Sequence, residues 1–341
     1  MSSECSGISA CNAVNSLASG IHPDFYGRIA HVESFHGACI DDGPNDYNGH
    51  GTHVTGSVLG SGATSDAGYN HAGMAPEAHL YMQSVQCGVG TDPDGCLCSA
   101  EGKLYQPSDL QNDFFQPAYD FGARVHTNSW GYCCIGENYY DNEAYKIDQS
   151  AYSMDDMVIL YAMGNDGRDT NANGEVDLGR MNRQATAKNI ISVGASENFR
   201  PGFGAVWGSD FAHPINSDNT NDNPEGMAPF SNRGPTNDGR TKPDISAPGT
   251  FIISTNSRDA TCVVPWAGGT DYCVMQGTSM ATPITAGSTA LILEHLNDLS
   301  YTDQYTSSND PASAMVKAIL IAGANDMNGQ YTGCLLYTSD A

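Results

Sequence analysis

Basic side chains are scarce: 14 Lys and Arg stand against 39 Asp and Glu in 341 residues, a formal charge of −25. A surface of that sign repels nucleic-acid backbone and anionic lipid, so neither is expected as a partner; it favours solubility and suits a saline or cation-rich medium. Long hydrophobic runs are missing too. Hydrophobic residues make up 40% of the chain, yet no run approaches the roughly 18 apolar residues of a membrane span. The N-terminus has no charged segment followed by an apolar core, so no export signal is visible. No internal repeat of about 20 to 50 residues occurs. One large α/β domain can run to this length, and one main domain, a monomer, is expected. The sharpest absence is local. Residues 5 to 25, CSGISACNAVNSLASGIHPDF, hold no acidic side chain except Asp24.

Cysteine, by contrast, is abundant. There are eleven, and Cys87, Cys96, Cys98, Cys133, Cys134, Cys262 and Cys273 fall in Gly-rich or polar stretches. Disulfides in an oxidising compartment are the expected use. Zinc is the alternative, but C-L-C and C-C lack the two-residue spacing of ordinary zinc sites.

Apolar, β-rich runs at 78–85, 123–130, 157–164, 189–196 and 250–256 alternate with helix-like stretches at 108–123, opening on a Ser108 cap, and at 142–154. Short buried strands separated by helices predict an α/β fold with a parallel sheet covered on both faces. Functional residues in such sheets gather just after the strands. Residues 197–248, rich in Gly, Pro, Asn and Asp, predict long surface loops rather than a second domain. The final GCLLYTSDA follows no earlier pattern, so both ends are expected to be truncated or altered.

Three stretches carry chemistry. In NGHGTHVTGSVLG (48–60), His50 and His53 lie one helical turn apart. A zinc-binding pair of that kind would want a Glu between them and a third ligand, and the alternative is two ordinary histidines. In QGTSMATPITAGSTALILEHL (276–296), Ser279 opens a long helical pattern with Pro283 near its start. A serine there has unpaired N–H groups and the positive end of the helix dipole beside it, which suits an anionic intermediate; a plain N-cap is the alternative. In LYAMGNDG (160–167), Asn165 follows a strand and can donate a hydrogen bond into a site or simply shape a turn.

Taken together, HGTHVTG, GND and GTSMATP resemble the motifs of the subtilisin-like serine proteases. NSWG (128–131), SNRGP (231–235) and KPDISAPG (242–249) match further stretches, and the similarity runs from about residue 20 to about 325. The resemblance implies a three-layer α/β fold with a central, mostly parallel sheet flanked by helices. It also implies a secreted endopeptidase with His50 as base, Ser279 as nucleophile and Asn165 as oxyanion donor. Polypeptide substrate would pair as an extended strand along Ser129, Trp130 and Gly131, with Gly164 close by. Several runs, RGPTNDGRTKPDISAPGTFI among them, look closest to the alkaline-protease branch that carries a C-terminal β-sandwich domain. A lipase-like hydrolase fits less well, because GTSMA lacks the second Gly of G-x-S-x-G.

The family's triad acid sits in an Asp-(Ser/Thr)-Gly motif, and here Cys5 precedes Ser6-Gly7 while Ala18 precedes Ser19-Gly20. Of the two positions Cys5 fits the branch better, and Asp24 belongs to the later HPDF stretch. The gap raises a rival reading, a catalytically impaired homologue that binds peptides. Finally, Asp169, Asn171, Asn173, Glu175 and Asp177, with Gly174 in sixth place, follow the start of a calcium loop, although Arg180 stands where its bidentate Glu would be. Calcium or a merely polar loop are the two outcomes.

Overall fold

The computed structural model describes residues 21–35, 45–66, 68–85, 104, 106–131, 138–303, 306, 308 and 310–327. Two compact units result: Met1–Ala123 with Ile253–Val274, and Arg124–Ile252 with Met275–Ala341. Among the described residues no helix is long and apolar enough to cross a membrane.

In the first unit, β1 (Ile29–Ser34) precedes α1 (His50–Leu59), β2 (Leu80–Ser84) and α2 (Gln116–Phe121). The strands β1 and β2 pair in parallel, from Ile29 with Leu80 to Ser34 with Ser84. Phe25, Ile29 and Leu59 form the local core, with Val32, Val58 and Leu80 packed against it. The helix α1 lies so close to residues 254–255 that a Cβ at Gly56 would come within 2.2 Å of the Thr255 hydroxyl. That hydroxyl donates to the Thr52 carbonyl at 2.8 Å, and Ser254 donates to the His53 carbonyl at 2.8 Å. A glycine is therefore required where GTHVTG ends. Ahead of α2 the chain makes a π-helical turn over Gln111–Phe115. Asp109 accepts from its backbone, at 3.1 Å from Asn112 N, one residue after the expected Ser108.

The second unit is built on β3 (Val125–Asn128), β4 (Val158–Ala162), β5 (Ile191–Ser196) and β6 (Ile245–Pro248), with α3 (Asn142–Ser153) between β3 and β4. The four strands lie in that order and are all parallel. Every residue of β4 and β5 is buried, which is why they read as continuous apolar runs. Asp141 caps α3 by accepting from Glu143 N and Ala144 N, both at 3.0 Å. The strands β7 (Ile252–Thr255) and β8 (Tyr272–Met275), which form a two-stranded sheet, fall almost wholly in the first unit, and the second unit continues with α4 (Thr278–Asp298) and α5 (Ser313–Ala322). The long helix α4 packs against all four strands of the parallel sheet.

Cys262 and Cys273 are joined in a disulfide. Cys87, Cys96, Cys98, Cys133 and Cys134 lie outside the described residues.

The stretch expected to be surface loops, residues 197–248, ends in the strand β6, and the remainder, although without helices beyond short 3₁₀ turns, is not all surface. Asn221, Ser231 and Asn232 are fully buried and Arg233 nearly so. Polar side chains can be buried there because backbone satisfies them: the Arg233 guanidinium donates to the carbonyls of Ser231 (2.8 Å), Met227 (3.1 Å) and Pro229 (3.3 Å).

Glu197, just after β5, is fully buried and accepts from Trp207 Nε1 at 3.1 Å. Burial, aided by the charges of Asp218 and Asp222 and opposed by its hydrogen bonds, pushes its carboxyl from the ordinary 4.5 up to about 7. The folded chain thus keeps a proton that the unfolded chain releases. The resulting stability is fully present below pH 4.5 and is lost as pH rises through about 7. Glu197→Gln is expected to flatten the fall in melting temperature between pH 5 and 8; an unchanged slope would rule this group out as its source.

Candidate active site

His50 begins α1, whose N-cap, Gly49, offers no side chain to the free N–H groups of the first turn. Asp46 supplies them instead. Its Oδ1 accepts from Gly49 N at 2.8 Å, and its Oδ2 accepts from Thr52 N and Thr52 Oγ1, both at 2.7 Å. Burial lowers the basicity of the His50 imidazole, and the Asp46 charge works in the opposite direction. The two histidines of the motif have different surroundings. His53 is fully buried with Nε2 3.1 Å from the Cys273 carbonyl oxygen, a packing role that follows from its place on the core side of the helix.

Asp24, the acid nearest the gap in the opening stretch, is fully buried and already engaged. It accepts from Gly62 N (3.1 Å), Thr64 N (3.3 Å) and Tyr272 OH (3.0 Å). Such a carboxylate pins the turn at residues 62–64. Cys5 and Ala18 lie outside the described residues.

The second unit holds Ser279, Asn165, Ser129, Trp130, Gly131 and Gly164. Asn165 leaves β4 on an exposed loop, yet its amide cannot turn freely. Its Oδ1 accepts from Thr278 N at 2.8 Å and from Thr278 Oγ1 at 3.0 Å. A backbone N–H can only donate, so the oxygen must face Thr278 and Nδ2 is left as a donor toward solvent. Gly164 adopts φ +104°, and a Cβ there would fall 2.3 Å from Asn232 Nδ2. Both a left-handed backbone and the lack of room demand glycine.

Ser279 is the second residue of α4, so its N–H has no partner within the helix. Its Oγ donates to the Ser129 carbonyl at 3.1 Å, and Ser129 Oγ donates back to the Ser279 carbonyl at 2.9 Å. That carbonyl would ordinarily accept from the residue four positions on, which is Pro283 and has no N–H. Ser129 therefore turns its hydroxyl toward the helix that bears Ser279. Trp130 packs edge-on against Tyr161, at 5.6 Å between ring centres.

Two positions in this unit were not singled out from sequence. Asn232 is fully buried and braces the loop that carries Asn165: its N donates to the Gly164 carbonyl (3.0 Å), its Nδ2 to Met163 O (3.1 Å), and its Oδ1 accepts from Asp166 N (2.9 Å). Asn182 donates through Nδ2 to Ala162 O at 3.2 Å and fills the space facing Gly131 and Gly164. The matched SNRGP stretch contains Asn232 and was its available signal; Asn182 has none.

The loop at 169–177 is shaped by its own oxygens. Asp169 accepts from Asn173 N (2.9 Å), Gly174 N (3.0 Å) and Ala212 N (2.9 Å), and Asn173 Oδ1 accepts from Glu175 N (3.0 Å). Burial works against the Asp169 charge, but these backbone N–H groups outweigh it and hold the carboxyl below its usual range. Asp177 accepts from Thr170 N at 3.0 Å. The donor set, carboxylate and amide oxygens alone, fits a hard cation.

Known proteins resemble the chain in sequence and in fold. The chain is 28% identical over 366 residues to the serine protease/ABC transporter B family protein tagD of Dictyostelium discoideum, spanning 89% of this chain and 19% of that protein. It is 30% identical over 290 residues to the serine protease AprX of Bacillus subtilis (strain 168), spanning 82% of this chain and 55% of AprX. The chain thus covers about a fifth and about half of these two relatives. Among solved structures, sphericase matches with TM-score 0.60 and 21% identity over 100% of this chain and 99% of its own. The prenylagaramide maturation protease PagA matches with TM-score 0.55 and 22% identity, over 90% and 81%. These likenesses give the fold as subtilisin-like α/β. The model of the subtilase family matches residues 13–335, a span that includes the histidine, asparagine and serine motifs, and the chain belongs to that family.

Proposed function

We propose that the chain is a single peptidase domain of a secreted, monomeric serine endopeptidase that hydrolyses extended polypeptides through an acyl-enzyme. His50 takes the proton of Ser279, and the Ser279 oxygen attacks the peptide carbonyl. Asn165 Nδ2 and the Ser279 N–H hold the resulting oxyanion. The protonated His50 then gives its proton to the leaving amine, and water releases the acyl group. Substrate backbone would pair as an extended strand along Ser129–Gly131, with Gly164 close by.

The observation that carries this reading is the Asn165 amide, held by Thr278 with its donor unspent beside the first turn of the helix that bears Ser279. A shape-only turn residue has no need of that lock. Asn165→Ala is expected to keep fluorophosphonate labelling of Ser279 but to lose roughly 100- to 1,000-fold in kcat on a peptide substrate. Equal kcat in variant and parent would remove Asn165 from the oxyanion role. The runs noted above favour the branch with a C-terminal β-sandwich domain as the source of this domain.

Structural calcium belongs to the proposal. Asp169, Asn171, Asn173, Glu175 and Asp177 would hold it, and the ion would supply charge to a loop whose ligands otherwise repel one another. Millimolar calcium is expected to raise the melting temperature by mass action, and Asp169→Ala with Asp177→Ala to reduce the gain. Among the described residues Glu197, Asp218 and Asp222 also bring carboxylate oxygens within 4.8 Å of one another. A gain that survives the loop variants would place the ion there instead, and no gain at all would leave the 169–177 loop merely polar.

A second reading, a catalytically impaired homologue serving as a peptide-binding module, is favoured by one observation: the single acid of residues 5–25, Asp24, is occupied by Gly62, Thr64 and Tyr272. Turnover of casein separates the two.

A further inference from the structure

We propose that Asp46 is a positioning residue for His50: it fixes the start of α1 through hydrogen bonds on both sides of the histidine, and its charge sets the imidazole's affinity for a proton. This inference rests on His50 being the general base.

The argument begins with the geometry. Gly49 and Gly51 flank His50 and offer no side chain, so the ring's local electrostatics must come from elsewhere. Asp46 reaches over the helix start, with Oδ1 on Gly49 N and Oδ2 on Thr52 N and Thr52 Oγ1. Its Oδ2 lies 3.5 Å from where a Cβ of Gly51 would be, close to the residue it brackets. The Asp46 backbone is held as well, its carbonyl accepting from Ser257 Oγ at 2.6 Å. The carboxylate is thus clamped at three points and the residue at a fourth.

Both of its oxygens are spent on helix N–H and hydroxyl donors, so the carboxylate acts on the ring through its field. That distinguishes it from a triad acid, which orients the base through a hydrogen bond to a ring nitrogen. Other charged groups near α1 lie in the 256–260 loop, whose Asn256, Ser257 and Ala260 approach Gly49. There Arg258 is paired with Asp271 at 2.6 Å, and Asp259 follows it. From β2 the neighbour is Met82, which is uncharged. Among the described residues Asp46 is the charge that bears on His50 in the direction of protonation, against the larger effect of burial. The positive end of the α1 dipole also disfavours an imidazolium at this position, and a carboxylate over the first turn offsets it.

The test is the titration of the His50 imidazole by proton NMR, in the Ser279→Ala background to prevent self-cleavage, with the resonance assigned by its loss in His50→Gln. Asp46→Asn keeps an oxygen to accept from one N–H and removes the charge. The expected result is that His50 titrates at lower pH in Asp46→Asn than in the parent, that Thr52→Val, which loses a hydrogen bond but keeps the charge, leaves it in place, and that added salt narrows the difference. An unchanged titration in Asp46→Asn, or an equal fall in Thr52→Val, would overturn the proposal and leave Asp46 as a cap. If Asp46→Asn does not fold, the unmodified chain decides: raising ionic strength must lower the His50 titration point, and a constant one overturns the proposal. Failure of the functional reading shows separately, as a normal Asp46-dependent shift in a chain with no peptidase turnover.

Discussion

Alanine in place of Ser279 is expected to reduce kcat on an extended peptide by roughly 100-fold in the chain as written and by on the order of 10⁶-fold once a triad acid is restored, in both cases to the level set by binding and the oxyanion donors alone. Fluorophosphonate labelling should vanish with it. The fold should survive, because the hydroxyl makes one hydrogen bond, to the Ser129 carbonyl, at a half-buried position. Loss of one such bond is worth about 1 kcal/mol, and α4 keeps its start through Gly277 and Thr278, which do not depend on the Ser279 side chain. Turnover that persists in the variant would mean that another nucleophile does the work. A lost activity accompanied by a collapsed melting transition would mean the hydroxyl is structural.

The second large effect concerns the missing acid. Without a carboxylate on Nδ1, His50 can adopt the wrong tautomer and its imidazolium goes unstabilised, a loss on the order of 10⁴ in kcat for triad enzymes. The chain as written is therefore expected to turn over slowly, and an Asp at the right place to recover up to that factor. Cys5→Asp and Ala18→Asp are the two candidates. Cys5 is favoured because it leaves the loop before HPDF in place. Asp24 is a poor substitute on physical grounds, since moving its carboxylate to His50 would strand the buried N–H groups of Gly62 and Thr64 and the Tyr272 hydroxyl. Measuring kcat/KM for both single variants on one substrate decides the matter. A parent that already equals the better variant would show that some other group orients the base.

Much of the parallel sheet was legible because β4 and β5 are buried on both faces, and such strands write themselves as apolar runs. The strand β1, IAHVES, escaped notice: it is buried only at Ile29 and Ala30, and its polar remainder carries no period. The helix α5, SAMVKAILIA, is apolar nearly all round and so lacks the one-sided pattern of a surface helix. At the site, Asn165 and Ser279 could be read from their places after a strand and before a helix, but their supports could not. Thr278, Asn232 and Ser129 act across 113, 66 and 150 positions of chain. Hydrogen bonds of that span leave no local periodicity. Residues 197–244 misled for a related reason: their Asn, Ser and Arg side chains look like surface, and are buried because backbone carbonyls and N–H groups receive them.

Pro283 would ordinarily be counted as a defect in the first turns of the helix that bears Ser279. Here the gap it leaves in the backbone ladder works as a socket, and the Ser129 hydroxyl is the plug. Two segments distant in sequence thereby become a single heritable unit. Restoring an N–H at 283 would set it in competition with Ser129 for the Ser279 carbonyl, and removing the Ser129 hydroxyl would leave that carbonyl with neither donor. Loss of the Ser129 hydroxyl is therefore costly only while residue 283 is proline, whereas the other side chains of GTSMATP can change without touching this bond, which ends on a backbone carbonyl.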